Sequence, residues 1–173
     1  MKSKDTPPRY VMLCGLPATG KTSFRKSALE FEDYPWVHLS SDDEIEQLCE
    51  AAGLTYTQGF LEHAPTAAKI VNEKRAKAIK SGNSIIDDHT NLTIGSRRKK
   101  LATVPKAYLK QLYYFGTPSK EEHLRRLARR PEKVIPAAVI EKMAASYEVP
   151  TRSEGFDMIT FFDDDYNIVL VDK

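Results

Sequence analysis

An eight-residue stretch near the head of the chain, Gly15-Leu16-Pro17-Ala18-Thr19-Gly20-Lys21-Thr22, constrains the fold more than any other. It fits G-x-x-x-x-G-K-[ST] at every fixed position, the pattern of a phosphate-cradling P-loop. Before it, Tyr10-Val11-Met12-Leu13-Cys14 is an apolar run of strand length, and after it Ser23 to Phe31 carries a helix-compatible pattern. Strand, glycine-rich loop, helix is the order such a loop requires. The glycines admit backbone conformations and close approaches that a side chain would block, so N–H groups can converge on phosphate oxygens. The following helix aims its N-terminal dipole at the same anion. Gly15, Pro17, Ala18, Thr19, Gly20, Lys21, Thr22 and Ser23 therefore form the expected nucleotide cradle, with ATP as the ligand. Lys21 is placed to reach the β- and γ-phosphates and the Thr22 hydroxyl to hold Mg²⁺.

The chain has 173 residues, 41% hydrophobic and 29% charged, enough for one well-buried core and short for two. A single domain over residues 1–173 is expected. A net charge of +2 is too mild to mark a nucleic-acid protein by bulk charge, so any basic site must be local. Cys14 and Cys49 are far apart in sequence and form neither a disulfide framework nor a zinc signature, which points to a reducing, cytoplasmic setting. No apolar run reaches membrane-spanning length, and Met1 to Pro8 is polar, ending in Pro7-Pro8, as expected of a loose tail rather than a leader.

Further along, Asp33 and Pro35 mark a turn and Trp36 to Leu39 reads as a second strand. Ser40 to Asp43 is good capping chemistry for a helix carrying Ile45, Leu48, Cys49 and Ala52, stopped by Gly53. Residues 57–65 fit no single pattern, whereas Thr66 to Ser81 reads as a helix ending at Gly82. Ser84-Ile85-Ile86 is a third strand, which delivers Asp87-Asp88-His89-Thr90-Asn91-Leu92 at its carboxyl end. A basic helix follows around Ser96 to Leu101, then a fourth strand from Tyr108 to Phe115. Ser119 with Glu122 has capping-box spacing for a helix reaching about Arg130, broken by Pro131, and Pro136 to Tyr147 reads as another helix. Met158 to Phe162 and Ile168 to Val171 read as terminal strands around the turn Asp163 to Asn167. Strands alternating with helices predict an α/β fold, a mainly parallel sheet with helices on both faces.

Ligands in such sheets gather beyond the carboxyl ends of the strands. Three polar clusters fall there: the P-loop, Ser40 to Asp43, and Asp87 to Asn91. Asp42 and Asp43 suit two roles, a carboxylate that orients and deprotonates an acceptor hydroxyl, or acids that cap a helix. Asp87 and Asp88 imitate a Walker B carboxylate near Mg²⁺, or else end a strand in solvent. Arg125, Arg126, Arg129 and Arg130 crowd adjacent stripes of one helix, which a polyphosphate would offset if that helix were a lid and which is otherwise a solvated basic face. Arg97 to Lys100 is a compact basic patch suited to polynucleotide phosphates, or an ordinary exposed helix face.

With these pieces in order, the chain resembles the P-loop kinases of the polynucleotide 5′-hydroxyl kinase type over nearly its whole length. The carriers are Gly15 to Thr22, Ser41-Asp42-Asp43, Ile85-Ile86-Asp87-Asp88-His89-Thr90-Asn91-Leu92-Thr93, and Arg129-Arg130-Pro131 with Ile135-Pro136 and Met143 behind it. The resemblance implies a P-loop NTPase three-layer sandwich with an arginine-bearing lid over residues 119–147. It implies transfer of the γ-phosphoryl of ATP, with Mg²⁺, to the 5′-hydroxyl of RNA or DNA. Asp42 would be the general base and Lys21 and Arg130 its catalytic companions. Arg126 and Arg130 would contact the nucleotide, and Asp88, Thr90 and Asn91 the acceptor, with His89 standing where strict counting from Thr90 puts the family's aspartate. Ile45 occupies the position where phage-type members carry an arginine for the acceptor's 3′-phosphate, and the Asp-x-Asp-Gly-Thr phosphatase signature is missing. Those departures leave room for a stand-alone kinase acting on a small molecule, a nucleoside or a modified base, or for an ATP-binding switch.

Overall fold

In a computed structural model, residues 6–26, 36–130 and 133–173 are described. The expected tail at Met1 to Asp5, the helix beyond Lys26, the turn at Asp33 and Pro35, and the break at Pro131 lie outside them. Six strands form one sheet: β1 (Arg9–Cys14), β2 (Trp36–Leu39), β3 (Ser84–Asp87), β4 (Leu109–Phe115), β5 (Met158–Phe162) and β6 (Ile168–Asp172). Their order is β2-β3-β1-β4-β5-β6. The first five strands run parallel, with Val11 beside Ile86 on one side and Gln111 on the other. β6 turns back antiparallel on β5 through the expected turn.

The central position of β1 explains its composition. A parallel strand covered on both faces has no solvent side, so alternation disappears and the run reads as continuously apolar. Tyr10, Met12 and Cys14 pack to one face with Val71, Ala78 and Leu101. Val11 and Leu13 pack to the other with Ile86, Phe115, Phe162 and the ring of Phe24. The first face is covered by α3 (Tyr56–Lys80) and α4 (Ile94–Leu101), and the second by α1 (Lys21–Phe24). The helices α2 (Ser41–Ala51), α5 (Lys120–Ala128) and α6 (Ala137–Ala145) complete the set. Among the described residues no helix is long and apolar enough to cross a membrane.

One element differs from its expectation. Residues 57–65 continue the helix beyond them, giving a single α3 of 25 residues with Pro65 inside it. Gly59 and Pro65 argue against a helix by propensity, but tertiary packing outweighs them. Thr55 and Gln58 form a reciprocal capping box that starts the helix at Tyr56. At Gly59 a Cβ would stand 2.5 Å from Cys49 Sγ, so the glycine lets α2 and α3 pack closely.

The basic run in α4 also departs from its expectation. Arg97 is fully buried and forms a two-bond pair with Glu154, at 2.7 and 2.9 Å, and Lys100 turns inward to Asp87 at 2.8 Å. Only Arg98 and Lys99 of the four face solvent, so no continuous basic patch exists there.

Candidate active site

Between β1 and α1 the chain passes through positive φ at Ala18 (61°) and Gly20 (90°). The Gly15 N–H donates to the Thr90 carbonyl at 3.0 Å, and a Cβ on Gly15 would stand 3.0 Å from the Phe115 carbonyl oxygen. The loop is thereby held between β4 and the segment after β3. Thr19 braces it from within, its hydroxyl donating to the Leu16 carbonyl at 2.9 Å. His123 of α5 touches the same loop, with Nε2 2.8 Å from the Pro17 carbonyl oxygen.

Lys21 is folded into its own loop, donating to the carbonyls of Gly15 at 2.8 Å and Leu16 at 2.6 Å. Burial pushes its pKa down to about 8, against the opposing pull of Asp88. A buried ammonium facing carbonyls alone is short of an anion, and a polyphosphate supplies one. Phosphate beside Lys21 favours the charged form and raises that pKa. Just above pH 8 nucleotide binding is therefore expected to take up as much as one proton per site and to weaken as the pH rises further. Well below pH 8 the ammonium is already charged and contributes no uptake. Calorimetry in two buffers of different ionisation heat measures this, and uptake persisting in Lys21→Met would refute the assignment.

The loop opens onto a cavity of about 1110 Å³. Lys21 and Thr22 line it, with Asp42 and Asp43, Tyr56 and Phe60 of α3, and Asp88, His89 and Thr90. Arg126, Arg129 and Arg130 also line it, as does Tyr166 from the β5–β6 turn. Tyr166 lies against the loop, for a Cβ on Gly20 would stand 1.9 Å from its hydroxyl oxygen.

The paired aspartates separate here. The Ser40 hydroxyl caps α2 by accepting from the Asp43 N–H at 3.2 Å, so the acids are not needed as caps. Arg25, buried beneath them, binds Asp43 at 3.3 Å and Asp88 at 3.1 Å. Asp42 escapes that clamp and accepts the Tyr56 hydroxyl at 2.8 Å, and its charge is felt at Lys21. Both line the cavity, and of the two Asp42 is the carboxylate left outside the Arg25 clamp.

Asp87 and Asp88 separate as well. Asp87 is fully buried and takes Arg75 at 3.1 Å, Lys100 at 2.8 Å, His89 at 2.6 Å and the Tyr10 hydroxyl at 2.7 Å. Those partners occupy its oxygens, which removes it from a metal role. Asp88 lies 3.3 Å from the Thr22 hydroxyl, on the cavity side. Burial and Asp43 raise its carboxyl, although Arg25 and Lys21 pull the other way. The Thr22 hydroxyl and the Asp88 carboxylate thus bring oxygen donors together on the cavity side, a chemistry that suits a hard cation such as Mg²⁺.

Some expectations change at this point. Asn91 is 3% exposed, and its amide donates to the Leu13 carbonyl at 2.7 Å and accepts from Lys100 at 2.7 Å. It braces the loop and does not line the cavity, unlike Asp88 and Thr90. Ile45 is 2% exposed, packs with Cys49 and Ala67, and does not line the cavity. In α5 the arginine crowding is partly offset from within, because Glu122 pairs with Arg125 at 2.8 Å and Arg126 at 2.7 Å. Glu122 therefore does not complete the capping box expected of it; only the Ser119 half forms. Among the described residues neither Arg129 nor Arg130 has an ion-pair partner. Tyr56, Phe60, His123 and Tyr166 carried no motif; only the Thr55-x-x-Gln58 spacing could have extended α3 to include the first two.

A mainly parallel sheet with a P-loop after an inner strand, a buried lysine and arginines lining the cavity defines a P-loop kinase-like, nucleotide-binding domain. The chain belongs to the AAA domain family, whose model matches residues 11–150. Among solved structures it is similar to a chain of the Pnkp1/Rnl/Hen1 RNA repair complex, at 24% identity and TM-score 0.63, over 84% of this chain and 46% of that one. The chain thus spans about half the length of that relative. It is also similar to a chain of the PezAT chromosomal toxin-antitoxin system of Streptococcus pneumoniae (20% identity, TM-score 0.64, 95% of this chain and 72% of that one). A gluconokinase from Sinorhizobium meliloti 1021 is similar at 17% identity and TM-score 0.55, over 90% and 82% of the two chains. At these identities the likeness is one of fold. No curated protein matches the chain by sequence.

Proposed function

We propose that the protein transfers the γ-phosphoryl group of ATP, with Mg²⁺, to a hydroxyl acceptor. The observation that carries this reading is Asp42, an unclamped carboxylate oriented by Tyr56 in the same cavity as Lys21 and Thr22. Magnesium would neutralise charge on the phosphates from Thr22. Lys21 leaves its loop carbonyls for the β- and γ-phosphates, and Arg126 and Arg130 offset charge as the phosphoryl group moves. Asp42 orients the acceptor hydroxyl and takes its proton. A single-domain kinase with residues 119–147 as a lid, working in the cytoplasm, is the setting this reading supposes.

The acceptor is read as the 5′-hydroxyl end of a polynucleotide. Its support is the motif resemblance, the likeness in fold to a chain of an RNA repair complex, and the paired rings of Tyr56 and Phe60, 5.6 Å apart at the acceptor wall, a surface on which a base can stack. A second reading, a small hydroxylated molecule, is favoured by burial of Arg97, which takes it out of the expected phosphate-binding patch, and by apolar Ile45 where phage-type kinases carry an arginine. Labelled ATP offered with 5′-hydroxyl RNA, 5′-hydroxyl DNA, nucleosides and sugar alcohols separates the two. Label on oligonucleotides supports the first reading, label confined to small alcohols the second, and ATP binding without label on any acceptor defeats both.

A further inference from the structure

Ser41 opens α2 directly before Asp42. Its Oγ lies 2.9 Å from Nε2 of His89, and its backbone N–H donates to that same nitrogen at 3.3 Å. A ring nitrogen that accepts an N–H carries a lone pair, so Nε2 is unprotonated and the ring proton sits on Nδ1. Nδ1 lies 2.6 Å from Asp87 Oδ1, to which it donates. Burial raises the Asp87 carboxyl, but Lys100, His89 and Arg75 outweigh it and hold the group well below the usual carboxylate range. Hydroxyl, imidazole and buried carboxylate in this order form the arrangement that makes a serine nucleophilic.

The nucleotide chemistry described above makes no use of this relay, yet its His89 lines the same cavity. Ser40 and Asp42, on either side of Ser41, line it too, together with Lys21 and Thr22. A phosphate on the first residue of a helix is favoured by the helix dipole. Asp42, Asp43 and Glu44 oppose it, and Arg25, which binds Asp43, offsets part of that charge.

We propose that Ser41 is a phosphoryl acceptor within the chain itself, modified by the ATP that the P-loop holds. The inference rests on the reading of that cavity as a γ-phosphoryl donor site. In the step, Ser41 Oγ forms a bond to the γ-phosphorus and the bond from that phosphorus to the β–γ bridging oxygen breaks. ADP leaves with the electron pair, and the serine proton passes to Nε2 of His89. Asp87 acts as a positioning residue that fixes the tautomer. The resulting phosphoserine places negative charge beside Asp42 and screens the acceptor wall against anionic acceptors, so the modification is a brake on transfer.

The test incubates the full chain with γ-labelled ATP and Mg²⁺ alone, and maps the label by peptide mass spectrometry. ADP release and labelling of added 5′-hydroxyl oligonucleotides and small alcohols are followed in parallel. One phosphate at Ser41 is expected, absent from Ser41→Ala and formed about a hundredfold more slowly in His89→Gln, the loss typical of a missing general base. Thermal melting confirms that each variant is folded, and mapping of the unmodified chain needs no variant at all. Unlabelled Ser41 in protein that still labels an added acceptor overturns this inference and leaves the kinase reading intact. No label anywhere and no ADP release overturns both, and undiminished Ser41 labelling in His89→Gln overturns the relay.

Discussion

Asp42→Asn is expected to bind ATP as the parent does and to transfer the phosphoryl group about 10²- to 10⁴-fold more slowly. The substitution keeps the shape of the side chain and an oxygen that can still accept the Tyr56 hydroxyl, now 2.8 Å from Asp42, so the wall of the cavity stays in place. What disappears is the basic oxygen that, in the proposed mechanism, takes the acceptor's proton. Asp43→Asn provides the contrast: its carboxylate is bound by Arg25, so its loss acts on the packing beneath the cavity rather than on proton transfer. Initial rates with the best acceptor, set beside an ATP titration, make the measurement. Unchanged turnover in Asp42→Asn would remove it from the base role.

Glu154→Ala is expected to destabilise the fold by about 3–5 kcal/mol, the range for breaking a buried ion pair from one side. Both side chains of the Arg97–Glu154 pair are fully shielded from water. Arg97 also donates to the carbonyls of Asn91, Leu92 and Glu148, each at 3.0 Å, so it joins the segment after β3 to the chain after α6. Removing Glu154 strands a guanidinium charge where water cannot reach it. Replacing both members, as Arg97→Met with Glu154→Leu, should recover much of the loss, because the isolated charge goes with its partner. Urea unfolding curves of the single and double variants measure it. A loss below about 1 kcal/mol in Glu154→Ala would mean that the pair is open to solvent after all.

The parts of this fold that were legible are those set by short-range chemistry. β1 announced itself because a strand buried on both faces must be apolar throughout, and the P-loop because close backbone approach demands glycine at fixed spacing. Ser40 and Ser119 marked helix starts through local hydrogen bonds to Asp43 and Glu122. Long-range pairing was not legible. Arg97 looked like a surface cation because its partner lies 57 residues away, and charge type alone says nothing about burial. Asp87 and Asp88 were equivalent in sequence and became opposites once Tyr10, Arg75 and Lys100 converged on the first. Residues 57–65 were unreadable because Gly59 serves contact with Cys49 rather than helix propensity.

The pairing of β1 also bears on how the protein is made. Tyr10 pairs with Ile85, and Arg9 with Leu109, so the strand carrying the P-loop receives its neighbours from far downstream. The Gly15 N–H waits for the Thr90 carbonyl, and the Gly15 backbone for Phe115. A ribosome therefore releases the phosphate-binding motif well ahead of its partners, and its backbone contacts are complete only once β4 has left the exit tunnel. Contacts of such sequence separation close slowly, because the chain entropy of the loops between them is lost before the contacts reward it. Translated before β3 and β4, the P-loop is thus shaped for its ligand only after they have emerged.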